Sequence, residues 1–234
     1  MRSLALALSL CLFPVALAAQ DTVGSYAVRA LGVTVGQLQV SGRVTESAFA
    51  VKAQFTTSGL VGAVKGIRFV MESHGARRGE RFIPSRYSED MDTGSRESRV
   101  QLVWKGGVAR ASGSEVGDRG PYAVTDAQQR GAVDPLTAMF MVLRDQPRDG
   151  LCRMSQRIYD GERLTEIALT GRSEEGETVT CTGLYRRVAG YSPQKLAEKS
   201  RFPLTVTYAP AGDLMQMVSV RADTTYGPAT IVRR

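Results

Sequence analysis

The chain has 234 residues, of which 43% are hydrophobic and 23% are charged, a composition typical of a folded globular protein rather than a disordered one. The formal net charge is +7, but the basic residues are scattered among acidic ones and do not form the basic stripe that nucleic-acid binding requires. Arginine supplies 25 of the 30 basic residues (30 less five lysines), and its forked guanidinium suits phosphate and carboxylate groups.

The first 19 residues have the features of a secretory signal peptide. A short basic start, Met1-Arg2, precedes an apolar run from Leu4 to Leu17, and Ala16-Leu17-Ala18 or Ala19 offers a small-residue cleavage site. The run is too short to span a bilayer comfortably. The sequence therefore predicts export by a cleaved signal peptide over residues 1–19, and no membrane-spanning segment in the mature chain.

The first part of the mature chain is predicted to consist of strands. Apolar residues alternate over Ser25–Ala30, Val33–Val40 and Ala48–Phe55, with a turn predicted at Ser41-Gly42. The segment Leu60–Met71 is apolar and glycine-rich. Because glycine inside a strand marks a bulge or bend, we expect a strongly curled sheet.

His74 is the single histidine, so a histidine-pair metal site is excluded and a Ser-His-Asp triad would have to use this residue. It lies in Glu72–Arg78, which is predicted to be an exposed turn. The acidic run Ser88–Gly94 lacks the ligand spacing of a calcium loop and is predicted to be a solvated hairpin turn. No metal site is therefore predicted.

A polar loop over Gly113–Gln129 leads to Val133–Asp145, the most helix-like stretch of the mature chain. Asp134 is expected to cap this helix, and Pro135 occupies the first helical position. The apolar residues that share one helix face, at i, i+3, i+4 and i+7 spacing, are Leu136, Met139, Phe140 and Leu143. Two interpretations of this face stay open: it packs on the protein's own core, or it covers a cavity for an apolar ligand.

Cys152 and Cys181 are the cysteines that follow the signal peptide, and an even pair in an exported chain predicts a disulfide; two unpaired buried thiols are the alternative. Strands are predicted over Cys152–Tyr159, Leu164–Thr170 and Val179–Arg187. In a simple meander the two cysteines would lie two strand spacings, about 10 Å, apart, which is too far for a disulfide. Cys152 should therefore lie at the frayed start of its strand, or the sheet must curl sharply there.

Later strands are predicted over Phe202–Tyr208, Asp213–Arg221 and Ala229–Val232, with a short helical turn in Gly190–Ser200. Together these elements predict a mainly β fold. A single curved antiparallel sheet forms an open or spiral β-barrel with one short helix packed against it, in one domain over residues 20–234.

The sequence contains none of the common motifs of catalysis or cofactor binding. No nucleophile elbow, phosphate loop or dinucleotide fingerprint occurs in the sequence. No catalytic residue and no cofactor is therefore predicted. A pair of carboxylates brought together only by folding remains an open alternative.

Four short segments are similar to a known family: Val133–Ala138, Tyr159-Asp160-Gly161, Thr170-Gly171-Arg172 and Arg201-Phe202-Pro203. They resemble the DUF3108 family of bacterial exported proteins. The resemblance implies a periplasmic protein with an open or spiral β-barrel wrapped about a helix, and it brings no established activity or catalytic residue. Its shape is similar to that of envelope carriers that hold acyl chains, which is an analogy from fold.

We therefore expect a non-enzymatic periplasmic protein that supports the cell envelope. Its partner would be a lipid, a polysaccharide or another periplasmic protein, and not nucleic acid. Two alternatives stay open. One is an envelope hydrolase that uses paired carboxylates, and the other is a structural scaffold with a large flat apolar patch.

Overall fold

A computed structural model of the chain describes residues 19–59, 62, 66–114 and 120–234. Residues 1–18 of the predicted signal peptide, and most of the glycine-rich Leu60–Lys65 stretch, lie outside the described residues. Within the described part, the strands are β1 (Gln20–Ala30), β2 (Val33–Val44), β3 (Ala48–Thr57), β4 (Arg68–Arg78), β5 (Arg81–Asp92), β6 (Glu97–Lys105), β7 (Val108–Gly113), β8 (Met154–Tyr159), β9 (Leu164–Glu175), β10 (Thr178–Ala189), β11 (Arg201–Ala211), β12 (Leu214–Thr224) and β13 (Gly227–Arg233).

The strands form one antiparallel sheet of 13 strands over the described residues. Each strand pairs with the strands that precede and follow it in the sequence, with one exception. β7 and β8 do not pair with each other and form the two edges of the sheet, whereas the first strand, β1, also pairs with the last, β13. The segment between β7 and β8 crosses the seam between these edges. The amide N–H of Ala109 on β7 donates to Gln129 Oε1 at 3.1 Å, and Val133 forms a parallel bridge with Ile158 on β8. The predicted mainly β fold is confirmed as a sheet nearly closed into a barrel.

The helices of the described part include α1 (Asp126–Gln129), α2 (Pro135–Leu143) and α3 (Pro193–Glu198), and a 3-10 helix spans Arg148–Gly150. The predicted helix packed against the sheet is α2, but the prediction of a loop without a helix over Gly113–Gln129 was wrong. α1 lies in the segment that was predicted to be a polar loop, and its signal was a capping box in which Thr125 and Gln128 bond each other's backbone. α3 occupies the predicted helical turn before β11.

Three local predictions in the first half of the chain were also wrong. Ser41-Gly42 is not a turn but lies within β2, and Glu72–Arg78 lies within β4, which places His74 in the middle of a strand. Gly59, Gly62 and Gly66 lie between β3 and β4 rather than inside a strand.

The packing of α2 requires a glycine at position 42. A Cβ atom at this position would lie 2.5 Å from the ring of Phe140, which is closer than van der Waals contact permits. Glycine therefore lets Phe140 of α2 pack directly on β2. The sequence alone does not predict this contact, because a Ser-Gly pair is more often found in a turn.

α2 lies inside the barrel rather than outside it. It contacts β3, β4 and β5 on one side and β8 and β12 on the other. Its first residue follows the bridge to β8, and its last turn reaches the β4–β5 turn, where Arg144 Nη2 lies 3.2 Å from Glu80 Oε2.

The strand directions define two ends of the barrel. We call the end that carries the β1–β2, β8–β9 and β12–β13 turns the rim, and the end that carries the β4–β5 turn the base. Because α2 ends at the base, it fills that half of the interior.

Candidate functional site: an apolar cavity beside the helix

A cavity of about 370 Å³ lies between α2 and strands β8 to β13. This volume is within the range of about 300–1,000 Å³ that is typical of small-molecule pockets. Its wall is mainly apolar and includes Met139 of α2 together with Ile167, Tyr185, Leu204, Val220 and Ile231 of the sheet.

The register of the sheet explains how these side chains meet. Ile167 on β9 is paired with Tyr185 on β10, and Val220 on β12 is paired with Ile231 on β13. Cross-strand partners project from the same face of a sheet, so both pairs point into the barrel. All four are only partly buried, and all four line the cavity.

The four predicted helix-face residues are divided between the core and the cavity. Leu136 and Phe140 are 0% exposed and Leu143 is 1% exposed, whereas Met139 is partly exposed. Met139 and Leu143 line the cavity. This face therefore packs on the core through Leu136 and Phe140 and borders a cavity through Met139 and Leu143. That the cavity takes an apolar ligand stays a prediction.

The opposite face of α2 is also buried. Ala138 is 2% exposed and Val142 is 5% exposed, so the helix is enclosed on all sides, as a helix that is apolar all round must be. The predicted face is therefore only part of the buried surface of α2.

Asp134 connects the start of α2 to the sheet. Its Oδ1 accepts from the amide N–H of Thr137 at 2.7 Å, and its Oδ2 accepts from Thr137 Oγ1 at 2.6 Å and from Ser73 Oγ on β4 at 2.8 Å. Asp134 is fully buried. Burial raises the pKa of its carboxyl, although the hydrogen bonds from Thr137 and Ser73 act in the opposite direction.

Val133 attaches the same segment to the opposite wall. Its amide N–H donates to the carbonyl oxygen of Arg157 at 3.0 Å, and its own carbonyl accepts from the amide N–H of Tyr159 at 2.9 Å. The consecutive residues Val133 and Asp134 thus join β8 to β4 across the interior, which sets the position of α2 and the width of the cavity beside it.

The predicted disulfide is present between Cys152 and Cys181, with their Cα atoms 5.1 Å apart. The two cysteines can come this close because β8 begins at Met154 and Cys152 lies outside the ladder, which is one of the two arrangements expected from the sequence. Its φ of 64° turns the chain towards β10 past the end of β8.

The described residues give no sign of a metal centre or of a membrane-spanning helix. In that part of the chain, no group of three or more His, Cys, Asp or Glu side chains could hold a metal ion. His74 is exposed on the outer face of β4. None of the described helices is long and apolar enough to cross a membrane.

Comparison with known proteins gives one match. The model of a family described as "Protein of unknown function (DUF3108)" matches residues 25–233. No curated protein and no solved structure matches the chain.

Proposed function

The chain belongs to the DUF3108 family, whose description assigns no activity, and we propose from the geometry that it binds an apolar molecule, such as a lipid acyl chain, in the cavity beside α2. The predicted signal peptide over residues 1–19 supports a periplasmic site of action, where such a protein would serve the cell envelope.

The observation that carries this proposal is the hollow rim half of the barrel. Protein interiors are normally close-packed, yet about 370 Å³ stays open here beside partly exposed apolar side chains. Filling this space with an apolar ligand would remove that surface from water, at about 25 cal/mol per Å².

The hydrolase alternative has less support. Glycosidases of the common type need two carboxyl groups on either side of the reacting bond. Along the described cavity wall, Asp160 is the one carboxylate. Its Oδ1 is occupied by the amide N–H groups of Glu162 and Arg163, at 2.9 and 2.7 Å.

A pair of matched variants tests the binding function. Ile231 lines the cavity, and its neighbour Val232 projects to the opposite face of β13, because side chains alternate along a strand. We expect Ile231→Trp to fill the cavity and to weaken binding of the uncharged fluorescent probe N-phenyl-1-naphthylamine at least about tenfold, which corresponds to ~1.4 kcal/mol.

Val232→Trp is the control, since it adds the same ring on the outer face and should leave probe affinity unchanged. Circular dichroism and thermal unfolding would establish that both variants fold. A wild-type protein that does not bind the probe, or an Ile231→Trp variant that binds it as tightly as Val232→Trp does, would refute the proposal.

A further inference from the structure

A group of cationic and aromatic side chains, which we call the rim cluster, lies beside the cavity at the rim of the barrel. Its members are Arg163, Arg187, Tyr191, Lys199 and Phe202. None of them belongs to the cavity wall described above.

The sheet register places the rim cluster directly next to that wall. Arg187 on β10 is paired with Thr165 on β9, and Phe202 on β11 is paired with Tyr185 on β10. Thr165 and Tyr185 both line the cavity, and the rings of Tyr185 and Phe202 have their centroids 6.1 Å apart. The rim cluster therefore begins where the apolar wall ends.

Three cations converge on two rings in this cluster. The guanidinium carbons of Arg163 and Arg187 lie 5.6 and 5.1 Å from the centre of the Tyr191 ring. Arg187 also lies 5.4 Å from the centre of the Phe202 ring, and Lys199 Nζ lies 5.0 Å from the same centre. The aromatic faces attract the cations and hold them close together despite their mutual repulsion.

The hydrogen bonds of Arg187 leave part of its guanidinium free for a ligand. Its Nη1 donates to the carbonyl oxygens of Lys195 and Lys199, both at 2.8 Å. Within the described residues, no carboxylate forms an ion pair with Arg187. Its Nε and Nη2 groups can therefore serve an external anion.

The other cations of the cluster have weak or neutral partners. Lys199 Nζ donates to the carbonyl oxygen of Thr224 at 3.1 Å. Arg163 lies 3.4 Å from the carboxylate of Glu162, whose side chain is 74% exposed. Asp160 also interacts electrostatically with Arg163 and with Tyr191.

We propose that the rim cluster binds the anionic head group, a carboxylate or a phosphate, of an amphiphile whose apolar chain occupies the cavity. This inference rests on the proposed function, because it assigns the chemistry at the head of the same ligand. Charge-assisted hydrogen bonds from guanidinium groups to carboxylate or phosphate are stronger than neutral ones, so an anionic amphiphile should bind more tightly than its uncharged analogue.

Displacement of N-phenyl-1-naphthylamine by three ligands with the same chain tests this inference: dodecanol, dodecanoate and dodecyl phosphate, at pH 7.5. We expect both anions, or one of them, to displace the probe from the wild-type protein at concentrations about tenfold lower than dodecanol does, since one hydrogen bond to a charged group is worth about that factor. The tighter of the two anions identifies the head group as carboxylate or phosphate.

Variants of the rim cluster test whether its cations cause the preference for the anionic ligands over dodecanol. In Arg163→Gln and Arg187→Gln, the preference for the anion should fall to within about threefold, whereas dodecanol should bind as before. Lys199→Gln gives a second measurement if the Arg187 variant loses stability together with its bonds to α3. Arg81→Gln, at the base end, changes the net charge equally and should keep the full preference.

The outcomes separate this inference from the proposed function. If dodecanol does not displace the probe, the cavity function itself fails. Equal displacement by all three ligands in the wild-type protein would leave the cavity function standing and overturn the head-group site. An equal loss of preference in Arg81→Gln would also overturn it, because the effect would then come from net charge.

Discussion

The base and rim halves of the barrel are built from the same strands but are filled differently. At the base, Phe82 packs edge-on against both Phe49 and Phe140, with centroids 5.1 and 6.3 Å apart, and all three are buried. At the rim, inward-facing side chains such as Val220 and Ile231 stay partly exposed. One interior therefore contains both a packed core and a cavity.

The lengths of the elements explain this difference. α2 has nine residues and is therefore about 14 Å long, whereas a strand of 11 residues such as β12 extends for about 36 Å. A single helix of this length fills only part of such a barrel. The polar groups at its two ends, Asp134 bonded to β4 and Arg144 beside Glu80, hold the helix in the position that leaves the rim hollow.

The largest expected effect compares two neighbours on α2. Phe140→Ala removes a buried ring from the base and should lower the free energy of unfolding by about 3–5 kcal/mol. Met139→Ala removes a side chain that is already half open to the cavity and should cost about 1 kcal/mol or less. Urea unfolding followed by circular dichroism measures both. Equal losses would mean that the rim side is packed as tightly as the base.

The second expected effect concerns the disulfide. Replacement of both cysteines, Cys152→Ser with Cys181→Ser, releases a link between residues separated by 29 positions. The free energy of unfolding should fall by about 3 kcal/mol, because the unfolded chain regains loop entropy. Wild-type protein unfolded in dithiothreitol is the control and should show the same loss. Unchanged stability in both would show that the bond does not constrain the barrel.

The smallest expected effect is the pH dependence that Asp134 contributes. Its folded-state pKa is raised by burial, so its stabilising contribution is fully present below the unfolded-state pKa and is lost as the pH rises through the folded-state pKa. The free energy of unfolding of the wild type, relative to that of Asp134→Asn, should therefore decrease as the pH increases from about 3.5 to 7.

Subtracting the free energies of unfolding of the two proteins at each pH separates the effect of Asp134 from that of acids whose pKa is lowered in the folded protein. The pKa of Asp21 is lowered by its hydrogen bond from Arg43, and that of Glu174 by its bonds from Arg148 and Arg172. These groups are present in both proteins and cancel in the difference. A difference that does not change with pH would show that folding does not raise the pKa of Asp134.

Several features of the site were predictable because their causes are local. Asp134 and Pro135 begin α2 for the reasons that apply to any helix start. The cysteine pair, in a chain predicted to be exported, indicated a disulfide. The ladder spacing required either that Cys152 lie outside its strand or that the sheet curl sharply, and the first alternative is the one found. The strand pattern likewise identified a curved antiparallel sheet, because alternation of apolar side chains is a property of a few neighbouring residues.

What the sequence alone determined was the type of most elements, the N-cap of α2 and the apolar character of one of its faces. The tertiary structure decided that the helix lies inside the barrel, that Phe140 packs where Gly42 makes room, and that Met139 faces empty space. It also brought Arg163, Arg187 and Lys199 together from three separate segments. Local patterns arise from backbone geometry within a few residues, whereas a cavity is the space left when elements of unequal length close around one another, and only the closed fold sets that space.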